Sequence, residues 1–288
     1  MLRHLPLHVA VIGLAVLWSL PTFALVVSSF RPATEIATSG WWTAVAAPFD
    51  WTLANYDAVL SQRGMGRAFV NSMIITVPAT VLVILVAALA AYAFAWMDFP
   101  GSRLLLLLMV GLLVVPIQMT LIPVLRLYVQ FGIDIDMPLL GGKVFGTSSY
   151  PGIWIAHAAY GLPFGIYLLR NFFGGLPKDL VEAAILDGAS DLRVFFRIIL
   201  PLSAPAIAAL AIFQFLWIWN DLLVALVFLG DPDLAPMTLR MTTLVSSFGG
   251  NYQLLTAAAF VSMAVPLAIF FLLQRYFVQG LLSGAVKG

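Results

Sequence analysis

The chain has 288 residues, of which 62% are hydrophobic and only 9% are charged, and its formal net charge is +1. An average soluble domain carries about 25% charged residues, so a lipid bilayer must solvate much of this surface. The near-neutral charge gives no electrostatic case for nucleic acid, and the absence of cysteine together with three scattered histidines gives no case for a disulfide framework or a metal site.

Six apolar stretches are long enough to cross a bilayer, since a spanning helix needs about 20 mostly apolar residues. The first stretch is longer than the apolar core of a signal peptide, which is about 7–15 residues, so we expect it to be retained. The third contains the prolines of VVPIQMTLIP, which predict a kink. The predicted spans are 7–30, 68–97, 103–129, 151–171, 203–229 and 256–276.

An even number of spans places both termini on one side of the membrane. Of the 14 Lys and Arg residues, eight fall on the side of the termini and six on the other, which favours cytoplasmic termini. The expected organisation is a first helix with an external segment over 1–66, a transmembrane core over 67–276, and a cytoplasmic tail over 277–288. No internal repeat or soluble domain is visible.

The segment between the fourth and fifth spans, 176–201, carries an unusual share of the charge. Pro177 can open a helix, Gly188 can end it in a left-handed conformation, and Ser190 or Asp191 can cap a second short helix that stops at Pro201. We call this helix–Gly–helix segment the elbow. Its charged residues are Lys178, Asp179, Glu182, Asp187, Asp191, Arg193 and Arg197.

Two interpretations of the elbow follow from the residues alone. The small side chains of Ala183 and Ala184 would let another protein approach closely, so the elbow can be a docking site. Alternatively, it is an amphipathic hairpin that lies on the lipid headgroups.

The stretch EAAILDGASDLRVFFRIILP resembles the EAA loop of ABC importer permeases, whose pattern is E-A-A, three residues, G, nine residues and I-x-L-P. The matching residues are Glu182, Ala183, Ala184, Gly188, Ile198, Leu200 and Pro201. The segments WTLANYDAVL, NSMIITVPATVLVILVAALAAYAFAWMDFPG, WNDLL and QRYFVQGLLSGAVKG also resemble the maltose-type, six-span subunit of the carbohydrate branch. QFLWIWNDLLVALVFLG is most similar to α-glucoside permeases. The loop over 131–150 is longer than in many relatives.

The resemblance implies an all-α, polytopic protein with the type I ABC importer permease fold. It implies that the elbow forms a coupling helix for a separate ATPase dimer, which binds ATP and Mg²⁺. It further implies a second homologous permease and an extracellular or periplasmic sugar-binding protein as partners, and a place in the bacterial inner membrane. The coupling residues it implies are Glu182, Ala183, Ala184, Asp187 and Gly188.

The chain itself is not expected to hydrolyse ATP. A phosphate-binding P-loop requires G-x-x-x-x-G-K-[ST], and the Gly-Lys pair of this sequence is Gly142-Lys143, where Met137 and Val144 occupy the other required positions. No cofactor is therefore expected in this chain.

The candidate sugar pathway centres on QFLWIWND. Asp221 lies 16 residues beyond Pro205, about 24 Å along a helix, and an ionisable group inside a span is a functional-site hypothesis by default. A polar staple between helices or a capping group near the interface is the alternative. A helical stripe would join Asp221 to Gln214, Trp217 and Ile218. The remaining candidates are Trp219, Asn220, Asn71, Gln118 and Tyr160, whereas His157 is interpreted as a packed helix residue.

Two other functions compete with the importer. An ion-coupled secondary transporter often shows inverted repeats and several buried carboxylates, whereas only Asp221 lies clearly within a predicted span. An intramembrane enzyme would need a motif such as H-E-x-x-H or a Ser–His pair, and the sequence offers neither convincingly. The sequence does not determine the sugar.

Overall fold

The computed structural model describes the backbone of most of the chain as helices joined by short turns. The described residues are 5–46, 51–62, 64–131, 136–137, 142–143, 146–244 and 250–285. The described residues within 1–69 and 237–265 form one packing unit, and those within 70–236 and 266–288 form the other. The predicted all-α class is confirmed.

The helices, in chain order, follow the predicted spans. The long helices are α1 (Leu5–Ser29), α5 (Met65–Trp96), α8 (Tyr150–Phe173) and α15 (Tyr252–Ala285). The shorter ones are α2 (Ala33–Thr38), α3 (Trp41–Ala46), α4 (Ala54–Asp57), α6 (Ser102–Leu112), α7 (Ile117–Phe131), α9 (Lys178–Leu186), α10 (Asp191–Val194), α11 (Leu200–Leu202), α12 (Ala204–Trp219), α13 (Leu223–Phe228) and α14 (Met237–Thr242). Two-residue strands, β1 (Asp136–Met137) and β2 (Gly142–Lys143), pair antiparallel in the loop before α8.

Among the described residues, four helices are long and apolar enough to cross a membrane, and two bent pairs raise the number to as many as six. The pair α6–α7 bends by 111° around Pro116, so the kink predicted for the third span is a break. The pair formed by Asp191–Leu202 and α12 bends by 76°. At the other end of the chain, α15 stays helical to Ala285, so the segment predicted as a separate tail continues this helix.

The predicted fifth span over 203–229 contains a helix break near its end. Helix α12 ends at Trp219, and α13 begins at Leu223. The Asn220 side chain donates a hydrogen bond to the Leu216 carbonyl at 2.8 Å, back toward the preceding turn. The Asp221 carboxylate accepts from the Val224 and Ala225 amides at 3.0 and 3.2 Å, which starts a new helix.

In the first unit, a buried arginine ties the segment after α1 together. Arg31 is only 2% exposed, and its guanidinium donates to the carbonyls of Glu35 and Ser39 at 3.2 and 3.3 Å. The Asn55 amide donates to the carbonyls of Ser29 and Arg31, both at 2.9 Å. Four backbone acceptors are thus satisfied by two side chains, which fixes the chain where it leaves α1.

In the second unit, small residues let α5, α8 and α12 pack closely, as is common in membrane helices. A Cβ at Gly165 of α8 would meet the Ala87 Cβ of α5 at 3.0 Å and a Leu210 methyl of α12 at 3.4 Å. The same core extends into the elbow. Its buried members include Ala87, Ala91, Ile166, Leu169, Phe173, Val181, Val194, Phe195, Ile199 and Leu210.

Candidate functional site

The elbow has the predicted helix–Gly–helix form. Helix α9 ends at Leu186, and Gly188 adopts a φ of 77°. The Gly188 amide donates to the Ile185 carbonyl and the Ala189 amide donates to the Ala184 carbonyl, both at 2.9 Å. These two bonds form a Schellman motif, which satisfies carbonyls at the helix end and requires a left-handed residue at its centre.

The second half of the elbow differs from the prediction in its length. Helical backbone continues through Pro201 to Leu202 instead of stopping at the proline. A wider turn over Phe195–Ile199 precedes α11, and Pro201 lies in the first turn of α11, where a missing amide proton is tolerated.

The elbow is anchored on one side and exposed on the other. Val181, Val194 and Phe195 are each at most 4% exposed and belong to the core of the second unit. The opposite side presents charged and large apolar side chains together. These exposed residues include Leu180, Leu186, Asp187 and Leu192, with Leu186 87% exposed, whereas Glu182 and Ile185 are exposed beside the anchored face. Exposed apolar groups bordered by charge are typical of an interaction surface.

A cavity of about 620 Å³ lies between the α6–α7 break, α8 and α12. Its wall is mostly apolar and carries no charged side chain. The volume is within the usual range for a small-molecule site, about 300–1,000 Å³. The lining residues are Leu112, Leu113, Val115, Ile117, Thr120, Val124, Ala159, Tyr160, Pro163, Phe164, Phe213, Gln214 and Trp217.

A few neutral polar groups are set into this wall. Gln214 is 1% exposed, and its Nε2 has no hydrogen-bond partner within the described part of the chain. A Cβ at Gly161 would overlap that nitrogen, so a larger residue at this position would displace the amide from where it lies. Thr120 Oγ1 and Tyr160 Oη lie 3.4 Å apart. The cavity therefore combines aromatic faces with a buried, unpaired amide donor.

Of the predicted pathway residues, Gln214, Trp217 and Tyr160 line the cavity, whereas the group around Asp221 does not. The prediction that Asp221 extends the α12 stripe is wrong, because α12 ends before it and the carboxylate caps α13. Trp219 is 1% exposed and stacks on Phe215 with ring centroids 5.6 Å apart.

The other candidates also lie outside the lining. The Asn71 amide nitrogen donates to the carbonyls of Asp233 and Ala235 at 2.8 and 3.1 Å, and its oxygen accepts from Tyr150 Oη at 2.7 Å. Gln118 is exposed in the first turn of α7. His157 is buried on α8, which agrees with its interpretation as a packed residue.

Sequence reasoning missed Thr120 and Gly161. The available signal was the proline break in VVPIQMT, which brings the start of α7 to the cavity wall.

Of the long loop over 131–150, much lies outside the described residues. Within it, the Ser148 amide donates to the Phe228 carbonyl at 2.8 Å, and Ser148 Oγ accepts from the Gly230 amide at 2.9 Å. These bonds hold the loop to the end of α13.

Residues 68–283 match the family described as binding-protein-dependent transport system inner membrane components. The chain belongs to this family of permeases. The chain is 55% identical to the osmoprotective compounds uptake permease protein GgtD of Synechocystis sp., over 99% of its own length and 93% of that protein. It is 41% identical to the alpha-glucoside transport system permease protein AglG of Rhizobium meliloti, over 98% of this chain and 96% of AglG. The predicted membership of the carbohydrate branch of ABC importer permeases is confirmed.

Solved structures agree on the fold. A bacterial ABC transporter involved in the import of the acidic polysaccharide alginate matches with a TM-score of 0.75 and 20% identity, over 94% of this permease and 95% of that chain. A second match is the bacterial alginate ABC transporter in complex with an alginate pentasaccharide-bound periplasmic protein. Its TM-score is 0.55 and its identity is 18%, over 94% of this permease and 93% of that chain. The permease is therefore a multi-pass membrane protein with an ABC importer fold.

Proposed function

We propose that this permease forms half of the translocation pathway of an ATP-driven importer for small, uncharged sugars, and that its elbow couples the pathway to a separate ATPase dimer. The observation that carries the coupling proposal is the elbow itself, which is fixed to the core through Val181, Val194 and Phe195 and leaves Glu182 and Ala183 of the EAA motif exposed. The ATPase dimer would bind ATP and Mg²⁺, and both termini of the permease would be cytoplasmic.

The connection between the elbow and the cavity supports this mechanism. The elbow joins α8 directly to α12, and both helices contribute lining residues to the cavity. Phe195 packs edge-on against Tyr92 of α5 with ring centroids 5.3 Å apart. A displacement of α9 by a closing ATPase would therefore move α8 and α12 with it, because packed cores shift as units rather than deforming continuously. That movement would carry Tyr160 and Gln214 between two states of the pathway.

The chemistry of the cavity supports a neutral, hydroxyl-rich substrate. Sugar C–H faces pack on aromatic rings, which Tyr160 and Trp217 supply, and a sugar hydroxyl can accept from the buried Gln214 amide. The absence of charge from the wall disfavours acidic sugars, for which a cationic partner is expected. Together with the relatives named for alpha-glucosides and osmoprotective compounds, this favours a small α-glucoside or a similar uncharged osmoprotectant.

The proposed assembly contains this permease, a second homologous permease, the ATPase dimer and an extracytoplasmic binding protein. The periplasmic protein in the alginate transporter supports the last of these. Half of the cavity wall would then come from the second permease.

The test is uptake by the assembled complex in liposomes, with ATP inside and binding protein outside. Labelled trehalose, sucrose and maltose are compared with a uronic-acid disaccharide of the same size. We expect ATP-dependent uptake of at least one neutral disaccharide and none of the acidic one. Uptake driven by a proton gradient with this permease alone would instead establish the ion-coupled secondary transporter.

A further inference from the structure

A second, polar groove lies beside the elbow and shares no lining residue with the cavity. Its volume is about 540 Å³, and it is formed by the end of α5, the start of α6, the end of α8 and the inner side of α9. Five charged side chains line it: Asp98, Arg103, Arg170, Lys178 and Glu182. Within the described ranges, none of the five forms an ion pair, so the groove has three basic groups, two acidic groups and an uncompensated charge of +1.

The state of Arg170 is the strongest evidence that a ligand belongs in this groove. The residue is half-buried, its Nε is buried without a hydrogen-bond partner among the described residues, and its Nη1 donates a long hydrogen bond to the Asn171 side-chain oxygen at 3.4 Å. The indole nitrogen of Trp96, which also lines the groove, is buried and has no partner in the part of the chain that the structure describes. A buried charge or donor without a partner costs free energy. An anion with several oxygens would relieve both deficits after small side-chain rotations.

The surroundings of the groove indicate what kind of anion it receives. The groove lies at the ends of membrane-length helices, the depth at which tryptophan side chains and lipid headgroups are found. On α6, Leu107 lies one turn beyond Arg103, and together with the exposed Leu104 and Leu108 it forms an apolar stripe next to the groove that offers a surface for acyl chains. The start of α6 has no side-chain cap, and a free helix N-terminus adds to the preference for an anion.

We infer that this groove binds the headgroup of one anionic phospholipid of the phosphatidylglycerol type, with its phosphate at Arg103 and Arg170 and its acyl chains along α6. One negative charge on the phosphodiester balances the groove's charge of +1. The headgroup hydroxyls can donate to Asp98 and Glu182, which a choline headgroup cannot satisfy. Because Glu182 belongs to the elbow, the bound lipid would contact the segment that moves during coupling. The inference does not depend on which sugar is transported.

The test measures lipid binding to the purified full-length permease. The delipidated protein is titrated with phosphatidylglycerol or phosphatidylcholine and analysed by native mass spectrometry. The groove variant carries Arg103→Gln and Arg170→Gln, and the matched control carries Arg193→Gln and Arg197→Gln, two exposed arginines of the elbow outside the groove. We expect one tight phosphatidylglycerol per chain in the wild type and the control. Affinity in the groove variant should fall about 30-fold, since each basic residue near anionic lipid contributes a factor of about five.

Several results would overturn the inference. They are unchanged affinity in the groove variant, equal binding of phosphatidylcholine, displacement by millimolar inorganic phosphate, and release of the lipid when the ATPase subunits bind. The last result would mean that the partner protein fills the groove. If the double variant does not fold, Arg103→Gln alone replaces it, because this side chain is exposed. A photoreactive phosphatidylglycerol on the wild type gives a second measurement, and crosslinks confined to peptides outside 94–106 and 170–185 would also refute the site.

Discussion

The elbow and the cavity belong to the same packing unit but are built from opposite kinds of residue. The elbow places charge and large apolar side chains on its surface and buries only its anchors, such as Val181 and Phe195. The cavity has an uncharged wall and buries its most polar group, the Gln214 amide. A surface that meets a soluble protein can use charge because water solvates it before docking. A path for a neutral sugar gains more from a fixed amide and aromatic faces, which need no counter-ion.

The two regions also use glycine for different purposes. Gly188 is needed for its backbone conformation, since its φ is 77° and nothing lies within 4 Å of an added Cβ. Gly161 is needed for space, since an added Cβ would clash with Gln214. This difference gives each region a substitution that should damage it alone.

The largest effect is expected for Gly188→Val. A β-branched residue is disfavoured at positive φ, at a cost of about 1–3 kcal/mol, and the alternative is loss of the Schellman turn. We expect sugar-stimulated ATPase activity and uptake of the complex to fall to background, while sugar-binding residues stay in place.

The matched control is Gly188→Asn, because asparagine tolerates the left-handed region and the space around the Cβ is open. It should keep most of the stimulated activity. Equal loss in both variants would mean that the elbow needs glycine for close contact with its partner rather than for its turn. Normal stimulation in Gly188→Val would contradict the coupling role.

A smaller effect, confined to the pathway, is expected for Gly161→Ala. The added methyl group would push the Gln214 amide into the cavity, and overpacking of this kind costs about 1–3 kcal/mol. Uptake should fall by about tenfold or more, whereas basal ATPase activity and co-purification with the ATPase should remain. Gly111→Ala on α6, where nothing lies within 4 Å of the new Cβ, should behave like the wild type. A drop in assembly with unchanged uptake per assembled complex would show that Gly161 serves packing only.

The difference between the charged elbow and the uncharged cavity explains which of the two could be predicted from the sequence. The elbow was predictable because charge is rare in this chain, and because Pro177 and Gly188 are strong helix boundaries. The cavity was not, because Leu112, Val115 and Phe164 look like lipid-facing residues until the α6–α7 bend is known. Asp221 was misplaced since hydrophobicity continues past Trp219, although adjacent Asn and Asp residues are themselves a capping signal.

Within the cavity, Gln214→Leu should separate binding from stability. Its amide nitrogen has no partner in the described residues, so removing it should leave the thermal midpoint unchanged or slightly higher. If a sugar hydroxyl accepts from this amide, the KM for uptake should rise by roughly tenfold, the value of one hydrogen bond in a water-free site. The maximal rate and the coupling to ATP should change little. An unchanged KM for every transported sugar would remove Gln214 from the substrate path.

The smallest effect is expected at Asp221 and requires two variants. Because its carboxylate accepts from the Val224 and Ala225 amides, Asp221→Ala should destabilise the start of α13 by about 1 kcal/mol, the usual value of an N-terminal cap. Asparagine caps nearly as well as aspartate, so Asp221→Asn should retain the wild-type thermal midpoint. Neither change should alter the order of preference among sugars, because Asp221 does not line the cavity. A shifted preference in Asp221→Asn, with unchanged stability, would show instead that the negative charge meets the substrate in another state of the transport cycle. In that case the uncharged character of the pathway would hold only for the state described by this structure.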